Sequence, residues 1–467
     1  MRGAPWWAAG LALVFALFLS NGLLRTPIQR SDSLELLLAA QNSPSAAASF
    51  AAAVTKRAYM RPMFRAQNKL LFDLGEESSL QRVFRGFHAG LIIACLLLFA
   101  RAARVRTSGD FAAFAVALVV LIGLHTFRGA VGEAYPVNHY LNVTVVCLLA
   151  LVLAQSAGGA WVDAAAALGF VYAVFILETG LLVWVIAVSA WVVGWRGISA
   201  RGLAALSAVL VGYAYLRFVH YPVGTPGLSE RSTGFLLSVL DPPELTRRFG
   251  AHPLPLYLYN SATSALSVLL SEPRAGRFVA IDAWLNDALQ PRMILAVATS
   301  LATTVAIGWT ALRAYRVRAL DDNARYIAVF AAVVASNAAI SFAYTKDEIM
   351  LPAGVFYALA AYGAWRALAD STVVRQRARA AALAVVLVAV SLGWSVRAAG
   401  LPYHQRSQMF KQRGDWAELA GDMRRAGHPV TSSNADHLIE RLYGDALSRP
   451  APNPRFEPRW LQSIWEE

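Results

Sequence analysis

The chain has 467 residues, of which 57% are hydrophobic and only 15% charged, and it carries a net charge of +13 at pH 7. That little charge cannot cover the surface of a soluble domain of this size. The positive balance comes from arginines clustered between apolar runs, which reads as membrane topology and lipid contact and not as nucleic-acid binding.

The apolar residues come in runs of about 17–22, the length that crosses a hydrocarbon core of about 30 Å as a helix. Eleven such runs lie near 5–24, 83–100, 110–127, 138–155, 160–177, 179–195, 202–219, 291–311, 325–343, 351–368 and 380–398. The first follows Arg2 and lacks a small-x-small cleavage site, so it reads as an uncleaved transmembrane helix and not as a signal peptide. Only Glu178 and Thr179 fall near the junction of the fifth and sixth runs, which makes that pair a tight hairpin. The expected fold is an all-α polytopic membrane protein with about eleven transmembrane helices. The two cysteines, Cys95 and Cys147, lie inside apolar runs and read as buried thiols, without a disulfide framework or metal pattern.

Short-loop arginines set the orientation. Arg101, Arg104 and Arg106, then Arg196 and Arg201, Arg313 to Arg325, and Arg366 to Arg379 fall on one side. The short loops of the other side hold only Arg128 and Lys346. The first side is expected to be cytoplasmic, with the N-terminus inside and the C-terminus outside. This puts residues 25–82, residues 220–290 and the tail 399–467 together on the outer face. Residues 1–398 then form the membrane domain, and 399–467 a small helical appendage.

The long outer loops read as interfacial helices. In 61–74, Arg61, Arg65 and Lys69 alternate with Met63, Phe64, Leu70, Leu71 and Phe72. In 276–289, Phe278, Ile281, Trp284, Leu285 and Leu289 share one helical face. In the tail, Asn434 is a candidate cap for a helix with Leu438, Ile439, Leu442 and Leu447 as its stripe.

Chemistry-bearing residues collect at the outer ends. Asp32-x-x-Glu35 has capping-box spacing at the start of a helix over 33–41. A carboxylate there is also placed to take a proton from an acceptor hydroxyl, or to hold a divalent metal at a phosphate. The second outer loop carries Arg128, Glu133 and His139. If Glu133 faces Asp32 across a cavity, the pair can divide the roles of base and metal ligand (Mg or Mn), with Arg128 on an anion. Glu178 lies at or near membrane depth, where ionisable groups face a cavity or a partner. Arg217, at the outer end of the seventh run, either snorkels or grips a phosphate with its guanidinium fork. Tyr344, Lys346 and Asp347 crowd the outer turn after the ninth run. No Walker loop, G-x-G-x-x-G, H-E-x-x-H or CxxC occurs.

Taken together, these stretches resemble the integral-membrane glycosyltransferases of the C superfamily, the GT-C fold, which use polyprenyl-phosphate sugars. The resemblance rests on the layout of about 400 residues and on short motifs. An acidic residue, Asp32, opens a long first outer loop, and that loop continues to Arg61-Pro62-Met63-Phe64. "FILETG" at 175–180 is similar to a Lys-Glu-Thr element of the fifth-to-sixth hairpin, with Leu177 where Lys is common. "YLRF" at 215–218 and "SFAYTKDEIMLPAG" at 341–354 resemble later outer turns, with Lys346-Asp347 where Arg-Tyr is common. The resemblance implies a divergent bacterial inner-membrane enzyme that moves a sugar from a polyprenyl-phosphate donor to a lipid, glycan or protein acceptor. Asp32 would be its general base, assisted by Glu35 and Glu133. Arg61, Arg65, Arg128, His139, Glu178, Arg217, Tyr344, Lys346 and Asp347 would be its substrate contacts.

Three other readings stand beside it. A transporter or flippase for a lipid-linked or anionic substrate should show repeats and broken helices at the midplane. A non-catalytic scaffold leaves the one-sided polar cluster unexplained. A polysaccharide polymerase or ligase would share the donor and the outer face.

Overall fold

The computed structural model describes residues 4–54, 60–132, 137–221, 228, 230–318, 320–372, 377–425 and 434–448; for Asp32 only the backbone is described. In chain order the helices are α1 (Ala4–Arg25), α2 (Ser31–Gln41), α3 (Ala46–Val54), α4 (Pro62–Glu76), α5 (Leu80–Ala103), α6 (Ser108–Gly123), α7 (His125–Gly132), α8 (His139–Ala154) and α9 (Ala160–Ile176). A 3₁₀ turn (Glu178–Leu181) leads to α10 (Leu182–Val192), and α11 (Ala200–Tyr215) ends in a π-helical turn (Leu216–His220). Then come α12 (Pro242–Phe249), α13 (Leu254–Leu270), α14 (Val279–Leu285), α15 (Pro291–Val317), α16 (Asp322–Ile340), α17 (Leu351–Thr372), α18 (Arg377–Arg425) and α19 (Asn434–Leu447).

All eleven apolar runs lie on helices. Among the described residues, six helical stretches are each long and apolar enough to cross a membrane: α1, α5, α11 with its π turn, α15, α16 with the turn after it, and Ala384–Asp422 within α18. The pair α6 and α7, bent by 62° between Gly123 and His125, passes the same test as a unit. Polar caps fix several starts, because the first amides of a helix lack intrahelical acceptors. Ser79, Asn138, Ser199 and Asp321 cap α5, α8, α11 and α16. Thr107 and Asp110 form a full capping box on α6.

Helix α17 is the hub. Residues 351–365 are buried on every side, and the helix packs against α16, α6, α15 and α8. A helix with no lipid-facing side needs no uniform apolarity, so Tyr357 can point inward and donate to the Ser300 carbonyl at 2.9 Å. At the other extreme, the stretch Ala200–His220 is only 17% buried and forms the rim.

The segments expected outside the membrane depart from expectation in four places. Helix α2 begins at Ser31, with Arg30 at the N-cap position and no side-chain cap. The capping-box reading of Asp32 and Glu35 therefore fails, because Asp32 falls inside the first turn. The start is set from outside the helix. Buried Arg85 donates to the carbonyls of Thr26 and Pro27, both at 2.9 Å, and Gln81 brackets Thr26 and Ile28. The loop 220–290 is not helical throughout. It contains an antiparallel ribbon, β1 (Thr233–Phe235) with β2 (Ser238–Leu240), in which Thr233 pairs with Leu240 and Phe235 with Ser238. It also contains α13, whose buried face carries Asn260, Thr263, Ser264 and Ser267 and so has no apolar stripe to read.

The helix expected over 276–289 shrinks to α14. It ends before Asp287, whose φ of 53° is left-handed, so Leu289 lies beyond the helix. Finally, α18 runs 49 residues through the expected boundary at 398. At 1.5 Å per residue it is about 70 Å long, more than twice a hydrocarbon core. Its distal part returns to the first outer loop: Trp416 donates to the Ile28 carbonyl at 2.7 Å, and Arg30 donates to the Asp415 carbonyl at 3.1 Å. Helix α19 adds Arg441, which donates to the carbonyls of Gly75 and Glu76.

The hairpin between α9 and α10 depends on Gly180, where a Cβ would overlap the backbone of Ala173. Gly180→Ala is expected to destabilise the fold by about 1–3 kcal/mol through overpacking. A lowered unfolding midpoint of the detergent-solubilised protein would register this, and an unchanged midpoint would contradict the contact.

Candidate functional site

Three segments apart in sequence meet around one carboxylate. Glu178 opens the 3₁₀ turn after α9, because the backbone at Leu177 is extended and turns the chain out of the helix. Arg61 sits at the N-cap of α4, just before Pro62, which pre-sets the helical start. Arg217 lies in the π-helical turn that ends α11. Arg61 donates to Glu178 Oε2 from Nη2 at 2.8 Å and from Nε at 3.2 Å. Arg217 Nη1 donates to Glu178 Oε1 at 3.1 Å and to the Tyr213 hydroxyl at 2.8 Å. Each carboxylate oxygen thus takes one guanidinium, a charge-assisted arrangement with defined geometry.

Electrostatics here follow from burial and pairing. Burial alone would lower the pKa of Arg61, but the Glu178 carboxylate, helped by Tyr140, raises it above the ordinary value for arginine. Arg65, one turn along α4, has no such compensation. Burial lowers its pKa, and Glu35 offsets this only in part. Two guanidiniums and one carboxylate leave a net charge of +1 at this point.

The triad forms the head of a groove with a cavity of about 280 Å³. Its polar end holds Arg61, Glu178, Arg217, Tyr213, Tyr140 and Tyr344, and its walls are Leu181, Leu210, Phe218, Ile340 and Phe342. Phe218, on the rim helix, is 65% exposed, so the apolar wall runs out to the side of the bundle. Lys346 lies with its ammonium 5.6 Å from the centre of the Tyr140 ring and 3.7 Å from Glu348. Buried His139 packs between Phe64 and Tyr140, beneath the groove.

The residues expected from sequence divide into three groups. Arg61, Glu178, Arg217 and Tyr344 line the groove, with Lys346 and His139 touching its lining. Arg128 and Asp347 belong to a different cavity. Asp347 accepts the Ala275 amide at 2.8 Å and pairs with Arg274 at 3.4 Å. Glu35 is on the exposed face of α2, and Arg65 faces the α2–α3–α4 pocket; neither lines the groove. The side chain of Asp32 and the whole of Glu133 lie outside the described residues. Among the described residues no group of three or more His, Cys, Asp or Glu side chains is placed to hold a metal.

Two groove residues escaped the sequence reading. Tyr213 is one turn before Arg217 and so on the same helical face, a spacing that does carry a signal. Tyr140 stands beside His139, but only the folded arrangement brings its ring under Lys346. No protein-family model, curated protein or solved structure gives a significant match to this chain.

Removing the charge of Glu178 leaves two guanidiniums facing each other. Glu178→Gln should cost roughly 2–3 kcal/mol, below the range for a fully buried pair because the side chain is 20% exposed. A double-mutant cycle with Arg217→Gln should recover part of that loss. Additive losses would mean that the two residues are not coupled.

Proposed function

We propose that the chain is a GT-C-like glycosyltransferase, with about eleven transmembrane helices and its outer face at the groove, that transfers a sugar from a polyprenyl-phosphate donor. The observation that carries the reading is the groove itself: a head of two guanidiniums and one carboxylate joined to an apolar wall that opens at the rim of the bundle. A polyprenyl-phosphate sugar has matching parts. Its phosphodiester carries one negative charge against the net +1 of the triad, and its tail stays beside Phe218 and Leu210 in lipid.

In this reading an acceptor hydroxyl approaches from the water side. Its oxygen attacks the anomeric carbon, and the bond from that carbon to the phosphate oxygen breaks. The electron pair leaves on the polyprenyl phosphate, whose added charge is met by Arg61, Arg217 and Lys346. The hydroxyl proton passes to Asp32 as general base, and configuration at the anomeric carbon inverts. The short-loop arginines support a cytoplasmic N-terminus in a bacterial inner membrane, with the tail outside.

The test is a transfer assay in membranes with a labelled pool of polyprenyl-phosphate sugar. Arg217→Gln should raise the donor KM about tenfold or more, as expected for one lost charge-assisted contact. Asp32→Asn should lower kcat about 10²- to 10⁴-fold while insertion stays normal. Wild-type membranes that move labelled lipid between leaflets without transferring sugar would overturn the enzyme reading in favour of a flippase.

A further inference from the structure

Across the 344–348 turn from the groove lies a second cavity of about 160 Å³ that the transfer reading does not use. Its wall comes from α7, the segment after α13, the first turn of α15, and α18. These bring Arg128, Arg274, Arg292, Arg397 and His125 together with one lining carboxylate, Glu272. Asp347, at the rim, pairs with Arg274. Among the described residues at this cavity, four guanidiniums stand beside two carboxylates. Burial also pushes the Glu272 carboxyl above the ordinary carboxylate range, which weakens its contribution as a counter-charge.

Two of these groups are built into the interior with a partner missing among the described residues: Arg397 lacks a counter-charge, and His125 lacks a hydrogen-bond partner. Arg397 is 4% exposed. Its guanidinium donates to the Ala296 carbonyl at 3.0 Å and to the hydroxyls of Thr299, Ser300 and Ser271 at 2.8–2.9 Å. It also lies 3.9 Å from the Trp394 ring centre. All these partners are neutral, and among the described residues no carboxylate stands within ion-pair distance of it. A guanidinium held this firmly away from water, with acceptors but no counter-charge, is electrostatically incomplete. His125 is also 4% exposed, and neither ring nitrogen has a hydrogen-bond partner among the described residues. Its Nε2 is 3.9 Å from Asp347 Oδ1, beyond hydrogen-bond reach. Unsatisfied buried donors are uncommon in native proteins and call for a partner from outside the fold.

We propose that this cavity is a phosphate-binding site, separate from the groove, in which Arg128, Arg274, Arg292 and Arg397 surround the oxyanion and His125 donates to it. A tetrahedral phosphate accepts from several directions at once, as donors from four elements require. The cavity has room for the phosphate and a small part of what bears it. The proposal does not depend on sugar transfer, since any phosphorylated molecule reaching this face would be recognised in the same way.

The experiment uses the full chain in detergent and isothermal titration calorimetry with inorganic phosphate. Arg292→Gln is the main variant because Arg292 is half-buried at a helix start, whereas Arg397 is fully buried among its hydrogen-bond acceptors. Arg128→Gln is the second. Each should weaken phosphate binding about tenfold or more, while Arg217→Gln, which alters only the groove, should leave this binding within about twofold. Unchanged affinity in both Arg292→Gln and Arg128→Gln, or loss only in Arg217→Gln, would overturn the second site. Two further titrations separate the sources of phosphate. Competition by glycerol 3-phosphate supports a soluble ligand, and competition only by phosphatidylglycerol in mixed micelles supports a lipid headgroup. Absence of phosphate binding in the wild type would overturn the proposal, whatever the transfer assay shows.

Discussion

The groove end of this protein is organised by the need to neutralise Glu178. A buried ionised carboxylate is costly unless it is paired and hydrogen-bonded. Here each oxygen has its own arginine, one from the start of α4 and one from the end of α11. The ion triad therefore joins segments that are 117 and 39 residues away in sequence from its central carboxylate. It positions the start of α4, holds the α9–α10 hairpin against it, and fixes where the rim helix stops. The groove is the space left beside this junction, and its charge is what remains after the carboxylate is balanced.

A second set of constraints fixes the first outer loop from below and from the far end of the chain. Arg85 and Gln81 on α5 bind the backbone of residues 26–28, and Trp416 on α18 donates to the same stretch. The segment that carries Asp32 is thus clamped between a membrane helix and the tail. The tail packs against the segment between α1 and α5. It extends a membrane helix, folds α19 back against the end of α4, and covers the loop that the proposed chemistry needs.

The short turn at 341–350 separates two charged cavities. Tyr344 faces the groove, whereas Asp347 turns toward Arg274 and the second cavity. Glu348 is buried beside Gly129, where a Cβ would press on its carboxylate oxygen at 2.5 Å, so α7 can approach the turn only with glycine at this position. Four polar residues in one turn look like a single site in sequence, but the backbone sends their side chains to different places.

Composition and periodicity determined that this is a helical, multi-pass membrane protein, because crossing a hydrocarbon layer leaves few alternatives and each one writes a long apolar run. Glu178, Arg217 and Tyr344, which line the groove, were conspicuous as charged or polar groups at the ends of apolar runs, whereas Arg61 was singled out in the amphipathic 61–74 segment. Tertiary structure decided what those residues do together. Whether Glu178 meets two arginines, whether Arg128 and Asp347 share its groove or another cavity, and whether α18 stops at the membrane all depend on contacts between distant segments. So does the start of α2, which at Ser31 puts Asp32 inside the first turn. Helix α13 stayed hidden for a related reason: its buried face is polar, and only neighbours that supply hydrogen-bond partners make such a face an interior one. A periodic pattern records what each segment must hide from water or offer to lipid; it carries no record of which segment will supply the opposing charge.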